Sequence, residues 1–216
     1  MDGDARRPTG TKEEKMRVYK LCLGLALSLP LLLLSQAGSA ATVSPAALVK
    51  DLGERVLAIF NDPKLPFPER EQRMHAIAVK EFDVPYSARF VLGPYWRSAT
   101  EQERQDFTKA YEDYIVHVYA GEFNLHHDAQ LKVLGERAEG PKRVLVQSKI
   151  FRRDGQPPLQ VDWRMMEAGE TYKIIDVSIT GISQLVALRE QFSAIIAREG
   201  GGVPMLTKYL LEKSRA

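Results

Sequence analysis

Three aspartates, Asp83, Asp162 and Asp176, sit among apolar neighbours in a chain that otherwise keeps its carboxylates in polar surroundings. A carboxylate held in an apolar setting can serve as a general base, a helix cap or an ion-pair partner, and nothing in its own spacing chooses between these roles. The remaining candidates for chemistry are His75, His117 and the adjacent pair His126-His127. Neighbours on a regular element point in different directions, which makes the pair a poor joint metal ligand and a good polar turn. The sequence has no GxSxG, HExxH, GxxxxGK[ST] or GxGxxG, so the local signatures of acyl transfer, zinc hydrolysis and nucleotide binding are missing. No cofactor and no metal site is expected.

The elements that must position these residues begin after a separate amino-terminal segment. Lys12, Lys15, Arg17 and Lys20 precede an apolar run from Leu21 to Leu34, and small residues follow from Ser35 to Ala41. That order is a cleavable secretory signal peptide over residues 1–40, with an uncleaved anchor as the alternative; fourteen residues with Pro30 inside them are short for a membrane span. The one cysteine, Cys22, lies within that run. Residues 41–216 therefore form a cysteine-free single domain, without disulfides or thiol catalysis. They carry 24 basic and 24 acidic residues, which argues against a nucleic-acid partner, since phosphate backbones need clustered cations.

Helical patterns fill the first half of this domain. Ser44-Pro45 opens a helix striped by Val49, Leu52, Val56 and Ile59 or Phe60, ending at Asn61-Asp62-Pro63. A second starts in Pro66 to Arg70, with Met74, Ile77 and Ala78 inward, and a short third spans Pro85 to Leu92 before Gly93-Pro94. From Ser98 to Phe123, Thr100 and Glu103 form a capping box, and Phe107, Tyr111, Tyr114 and Val118 make an aromatic stripe.

Four strands of period two follow: Ala129–Leu134, Arg143–Arg152, Leu159–Met166 and Thr171–Ile179, separated by GERAEGP, RDGQPP and EAGE. Short connections predict an antiparallel meander with one covered face, carrying Val144, Val146, Ser148 and Ile150 on the second strand and Leu159, Val161, Trp163 and Met165 on the third. Alternation in the fourth puts Tyr172, Ile174, Asp176 and Ser178 on one side. After a Gly181-Ile182-Ser183 turn, Leu185, Leu188, Phe192 and Ile195 or Ile196 stripe a helix up to the Gly200–Gly202 triplet. A last helix, Pro204 to Lys213, turns Met205, Leu206, Tyr209 and Leu210 inward. The fold class is α+β, a four-stranded mainly antiparallel sheet packed against several helices. Asp176 reads as a brace for the turn, bonded to backbone N–H groups or paired with a cation such as Arg189.

Phe82-Asp83, Leu92-Gly93, Trp96, Ala99-Thr100, Gln102 and Phe107, with a second block of Asp176-Val177, Gly181-Ile182-Ser183, Arg189 and Phe192, resemble the pattern of the MlaC-like, toluene-tolerance type of periplasmic lipid-binding proteins. The similarity runs from about Ser44 to Leu211. Tyr172 and Ile175 stand where that family often has tryptophan and an aromatic residue; the hopanoid-biosynthesis-associated branch is similar too. The resemblance implies a non-enzymatic carrier of a phospholipid or hopanoid-type lipid. Its partners would be an inner-membrane ABC-transporter complex with its MCE-domain protein, and an acceptor at the outer membrane. It also implies an apolar cavity between sheet and helices, near the upper end of the roughly 300–1,000 Å³ of ligand sites, with Phe107, Tyr111, Ile115, Val146, Ile150, Val161, Trp163 and Met165 as tail-contacting residues. Two other readings stay open. One is a small enzyme using a buried aspartate, as in isomerases of the nuclear-transport-factor type of fold; the other is a structural adaptor of a transporter complex, which would have a solid core.

Overall fold

The computed structural model describes residues 43–122, 129–152 and 155–215. The signal-peptide segment and the His126-His127 pair lie outside the described residues.

Five helices come first: α1 (Pro45–Phe60), α2 (Phe67–Glu81), α3 (Val84–Leu92), the single turn α4 (Tyr95–Ser98) and α5 (Glu101–Glu122). Their starts are written in side chains that satisfy otherwise orphaned N–H groups. Ser44 Oγ accepts from Ala47 N at 3.2 Å. At α5 the capping box is reciprocal, with Thr100 N donating to Glu103 Oε2 at 2.7 Å and Glu103 N donating to Thr100 Oγ1 at 3.2 Å. Asp83 caps α3, accepting from Tyr86 N at 3.0 Å, so one of the three candidate aspartates is spent on backbone.

The sheet has the strand order β1-β2-β3-β4-β5, all neighbours antiparallel: β1 (Gln130–Ala138), β2 (Arg143–Phe151), β3 (Leu159–Ala168), β4 (Thr171–Ile179) and β5 (Ile182–Ser183). It holds one strand more than the sequence pattern predicts. The segment read as a Gly-Ile-Ser turn is a hairpin whose loop is Thr180-Gly181, both with positive φ, 49° and 84°. Two left-handed residues make the tight reversal that matches strand twist, and Ile182 pairs back on Ile179. β1 also runs four residues beyond its predicted end, because a register shift between Val133 and Gly135 lets Leu134 drop out of pairing while the ladder continues.

A second bulge corrects the predicted faces of β4. The register shifts between Arg164 and Met165, so Trp163 faces Val177 while Met165 faces Ile174. Tyr172 and Ile174 therefore share the covered side with Val177 and Ile179, and Asp176 and Ser178 turn to the other. Periodicity of two cannot foresee an inserted residue.

Two helices complete the chain, α6 (Gln184–Glu199) and α7 (Gly202–Lys213). Apolar packing divides into two main clusters. Phe107, Tyr111, Phe192, Leu206 and Leu210 centre one among α3, α5, α6 and α7. Leu48, Val49, Leu52, Val146, Met165 and Ile174 centre the other, where α1 crosses the sheet. The crossing is close: a Cβ on Gly53 would lie 3.1 Å from Leu131 Cδ2.

Candidate functional site

Between these clusters the packing leaves a gap. Register places Ile150, Leu159, Val161, Trp163, Val177 and Ile179 on one sheet face, and these residues form one wall of a cavity of about 160 Å³. The facing wall is built by α1 through Leu52 and Val56, α2 through Met74, Ile77 and Ala78, α3 through Val84 and Ser87, α5 through Tyr111, Ile115, Val116 and Tyr119, and α6 through Leu185 and Leu188. The volume is well below the expected upper end of roughly 300–1,000 Å³. Side chains from five helices reach toward the sheet and fill much of the space between them.

Several polar groups around the cavity are already engaged. Trp163 Nε1 donates to Ser148 Oγ at 2.9 Å, and that hydroxyl donates to the Val161 carbonyl at 2.8 Å. The indole can thus lie against apolar space without an orphaned N–H. Ser87 Oγ donates to the Asp83 carbonyl at 2.9 Å. Burial pushes the Tyr111 hydroxyl far above its ordinary pKa, with the nearby Tyr119 and Asp176 adding to the effect, so it stays neutral and cannot act as an anionic base.

Asp176, 8% exposed, also borders the cavity and accepts on both of its oxygens. Its Oδ2 accepts from Arg164 Nη1 at 2.9 Å and from Ser183 Oγ at 2.7 Å, and its Oδ1 accepts from Leu185 N at 3.2 Å. Ser183 Oγ in turn accepts from Val186 N at 3.2 Å, so Asp176 fixes the hydroxyl that caps α6. The cation is Arg164 rather than Arg189. Arg164 also donates to Glu139 Oε2 at 2.8 Å; that bond, followed by the charges of Glu139 and Asp176, raises its pKa against the opposing effect of burial. Asp162 meets the side chain of Gln160 at 3.2 Å. Among the described residues, no group of three His, Cys, Asp or Glu side chains could hold a metal ion.

Of the residues the resemblance implies as tail contacts, Tyr111, Ile115, Ile150, Val161 and Trp163 line the cavity. Phe107, Val146 and Met165 lie elsewhere. Phe107 is one turn before Tyr111 and meets Phe192 edge-on at 6.3 Å within the helical core, while Val146 and Met165 are sealed in the cluster formed with α1. The lining residues of α2 and α6 belong to the stripes predicted as inward. A stripe tells which side is inside; where its neighbours leave a gap depends on helices far apart in sequence.

This fold finds its counterpart in known proteins. A solved structure of a phospholipid-binding protein from Ralstonia solanacearum, in complex with a phospholipid, superimposes with a TM-score of 0.66 at 23% identity, covering 79% of this chain and 96% of that one. Its likeness establishes the fold. The intermembrane phospholipid transport system binding protein MlaC of Haemophilus influenzae is 22% identical over 121 residues, 55% of this chain and 56% of that protein; the chain spans about half the length of this curated relative. The MlaC protein family model matches residues 50–212, and over that span, most of its sequence, this chain belongs to the MlaC family.

Proposed function

We propose that this chain is a periplasmic, non-enzymatic lipid carrier that shelters the acyl tails of a phospholipid between its sheet and its helices. The observation that carries the reading is the cavity, walled by hydrocarbon from the sheet and five helices, with its bordering carboxylate committed to three donors. Burying a methylene is worth about 0.8 kcal/mol, so a sixteen-carbon chain exposed to water costs on the order of 12 kcal/mol. A protein that ferries lipid through water must cover that surface. On this reading a cavity of about 160 Å³ takes part of a lipid, and full loading requires the helices to part from the sheet.

The family's domain and the names of the two relatives support phospholipid as the cargo and an intermembrane route. On this reading residues 1–40 direct export, and lipid passes between an inner-membrane ABC-transporter complex with its MCE-domain protein and an outer-membrane acceptor. A gap where an adaptor needs only a solid core, and an aspartate already held by an arginine, a hydroxyl and a backbone N–H, both favour the carrier over its two competitors. The test is uptake of fluorescent phospholipid from vesicles. The wild-type chain is expected to extract lipid and Ile115→Trp, which fills the gap, to extract at least tenfold less; no uptake by the wild type overturns the reading.

A further inference from the structure

On the far side of the α3–α6 pair lies a second depression, about 390 Å³, lined by Tyr86, Arg89, Phe90, Arg97 and Arg189 around the Gly93-Pro94 turn. Three guanidinium groups line it and no carboxylate does. Several other arginines are neutralised: Arg55 by Asp51 and Glu81, Arg164 by Glu139 and Asp176, Arg104 by Glu101. Among the described residues, Arg89, Arg97 and Arg189 make no ion pair.

The cluster is built as well as charged. Arg189 lies with its Cζ 5.5 Å from the centre of the Phe90 ring. It also lies against Gly93, where a Cβ would come 2.8 Å from Arg189 Nε. Gly93 has φ 53°, a conformation that strains any residue with a Cβ, and a side chain there would also displace the arginine. A guanidinium held near a ring and a glycine is pre-organised, and it makes no ion pair among the described residues. The dipole at the end of α3 accounts for Arg89, which lies in that helix's last turn. It does not account for Arg189, in the middle of α6, or for the meeting of all three.

We propose that this depression binds a phosphate group, a phosphate monoester, diester or the free ion. Planar forks engage phosphate oxygens two at a time. Ser87 and Leu188 face the apolar cavity while Tyr86 and Arg189 face this one, so α3 and α6 stand between the two sites. The phosphate site holds whether or not the cavity carries lipid. Its ligand can come from solution or from the headgroups of an anionic membrane surface.

The experiment titrates the full chain with inorganic phosphate by calorimetry and, separately, floats it with vesicles of phosphatidylglycerol and of phosphatidylcholine. Arg89 and Arg97 are exposed, so Arg89→Ala/Arg97→Ala keeps the fold, checked by an unchanged urea midpoint, and Arg89→Lys/Arg97→Lys serves in its place if it does not. Phosphate binding that falls at least tenfold in the alanine variant assigns a soluble ligand. Binding seen only with phosphatidylglycerol vesicles, with the same loss, assigns a membrane phosphate. Absence of binding to both probes, or binding equal in wild type and variants, overturns the site.

Discussion

Replacing Asp176 separates a structural brace from a catalytic base. Asp176→Ala removes three acceptor contacts at once, to Arg164, Ser183 and Leu185. Arg164 keeps Glu139 and is 34% exposed, so that ion pair is worth no more than about 1 kcal/mol after solvent screening. The Leu185 N–H is buried and loses its acceptor, a loss of about 1–3 kcal/mol, and the Ser183 hydroxyl loses the charge-assisted bond that orients it as a cap. Together these give about 3–4 kcal/mol, against about 1–2 kcal/mol for Asp176→Asn, which retains an acceptor oxygen. With a urea slope of about 2 kcal/mol per molar, the alanine midpoint should fall by about 1.5–2 M at unchanged slope. A shift below about 0.3 M would refute the bracing role, and an asparagine variant of wild-type stability that loses a turnover activity would establish the base instead.

Other outcomes follow from single contacts. Gly53→Val drives a branched side chain into Leu131, already 3.1 Å from a Cβ at that position, and should cost about 1–3 kcal/mol by urea melting, whereas Gly53→Ala stays within about 1 kcal/mol. Gly181→Val places a branched residue at φ 84° and should lower stability by about 1–2 kcal/mol. The raised pKa of Tyr111 means that above its ordinary value of 10.0 the unfolded chain releases a proton the folded chain keeps. Stability should then fall by about 1.4 kcal/mol per pH unit from this group, and Tyr111→Phe should remove that part of the alkaline slope in pH-dependent unfolding.

Local chemistry made much of this architecture readable. Ser44, the Thr100-Glu103 box and the Gly93-Pro94 stop mark helix ends through bonds or backbone conformations that lie within a few residues, and β4 has the predicted bounds. The bulges at Leu134 and Ile175 shift the phase of the alternation, so an unbroken period of two assigns the wrong face to the residues beyond them. The two-residue β5 was hidden behind a reading of Gly181-Ile182-Ser183 as a turn, because Thr180-Gly181 is not one of the usual hairpin dipeptides. Asp176 could be assigned to the turn from its distance to Ser183 along the chain, but its cation could not: Arg164 reaches it across the β3–β4 register, and only pairing sets that. The cavity lay furthest from the sequence, since Tyr111 and Phe107 belong to one stripe and only the packing of α6 seals Phe107 away while leaving Tyr111 at the edge of open space.

The central claim is that the space between sheet and helices shelters lipid tails, and native mass spectrometry of the chain purified from its host tests it most directly. A bound species with the mass of a phospholipid, lost in the Ile115→Trp variant, is the predicted result; a polycyclic triterpenoid mass would keep the carrier and change its cargo. Recovery of the chain without any lipid, together with no uptake from labelled vesicles, would contradict it.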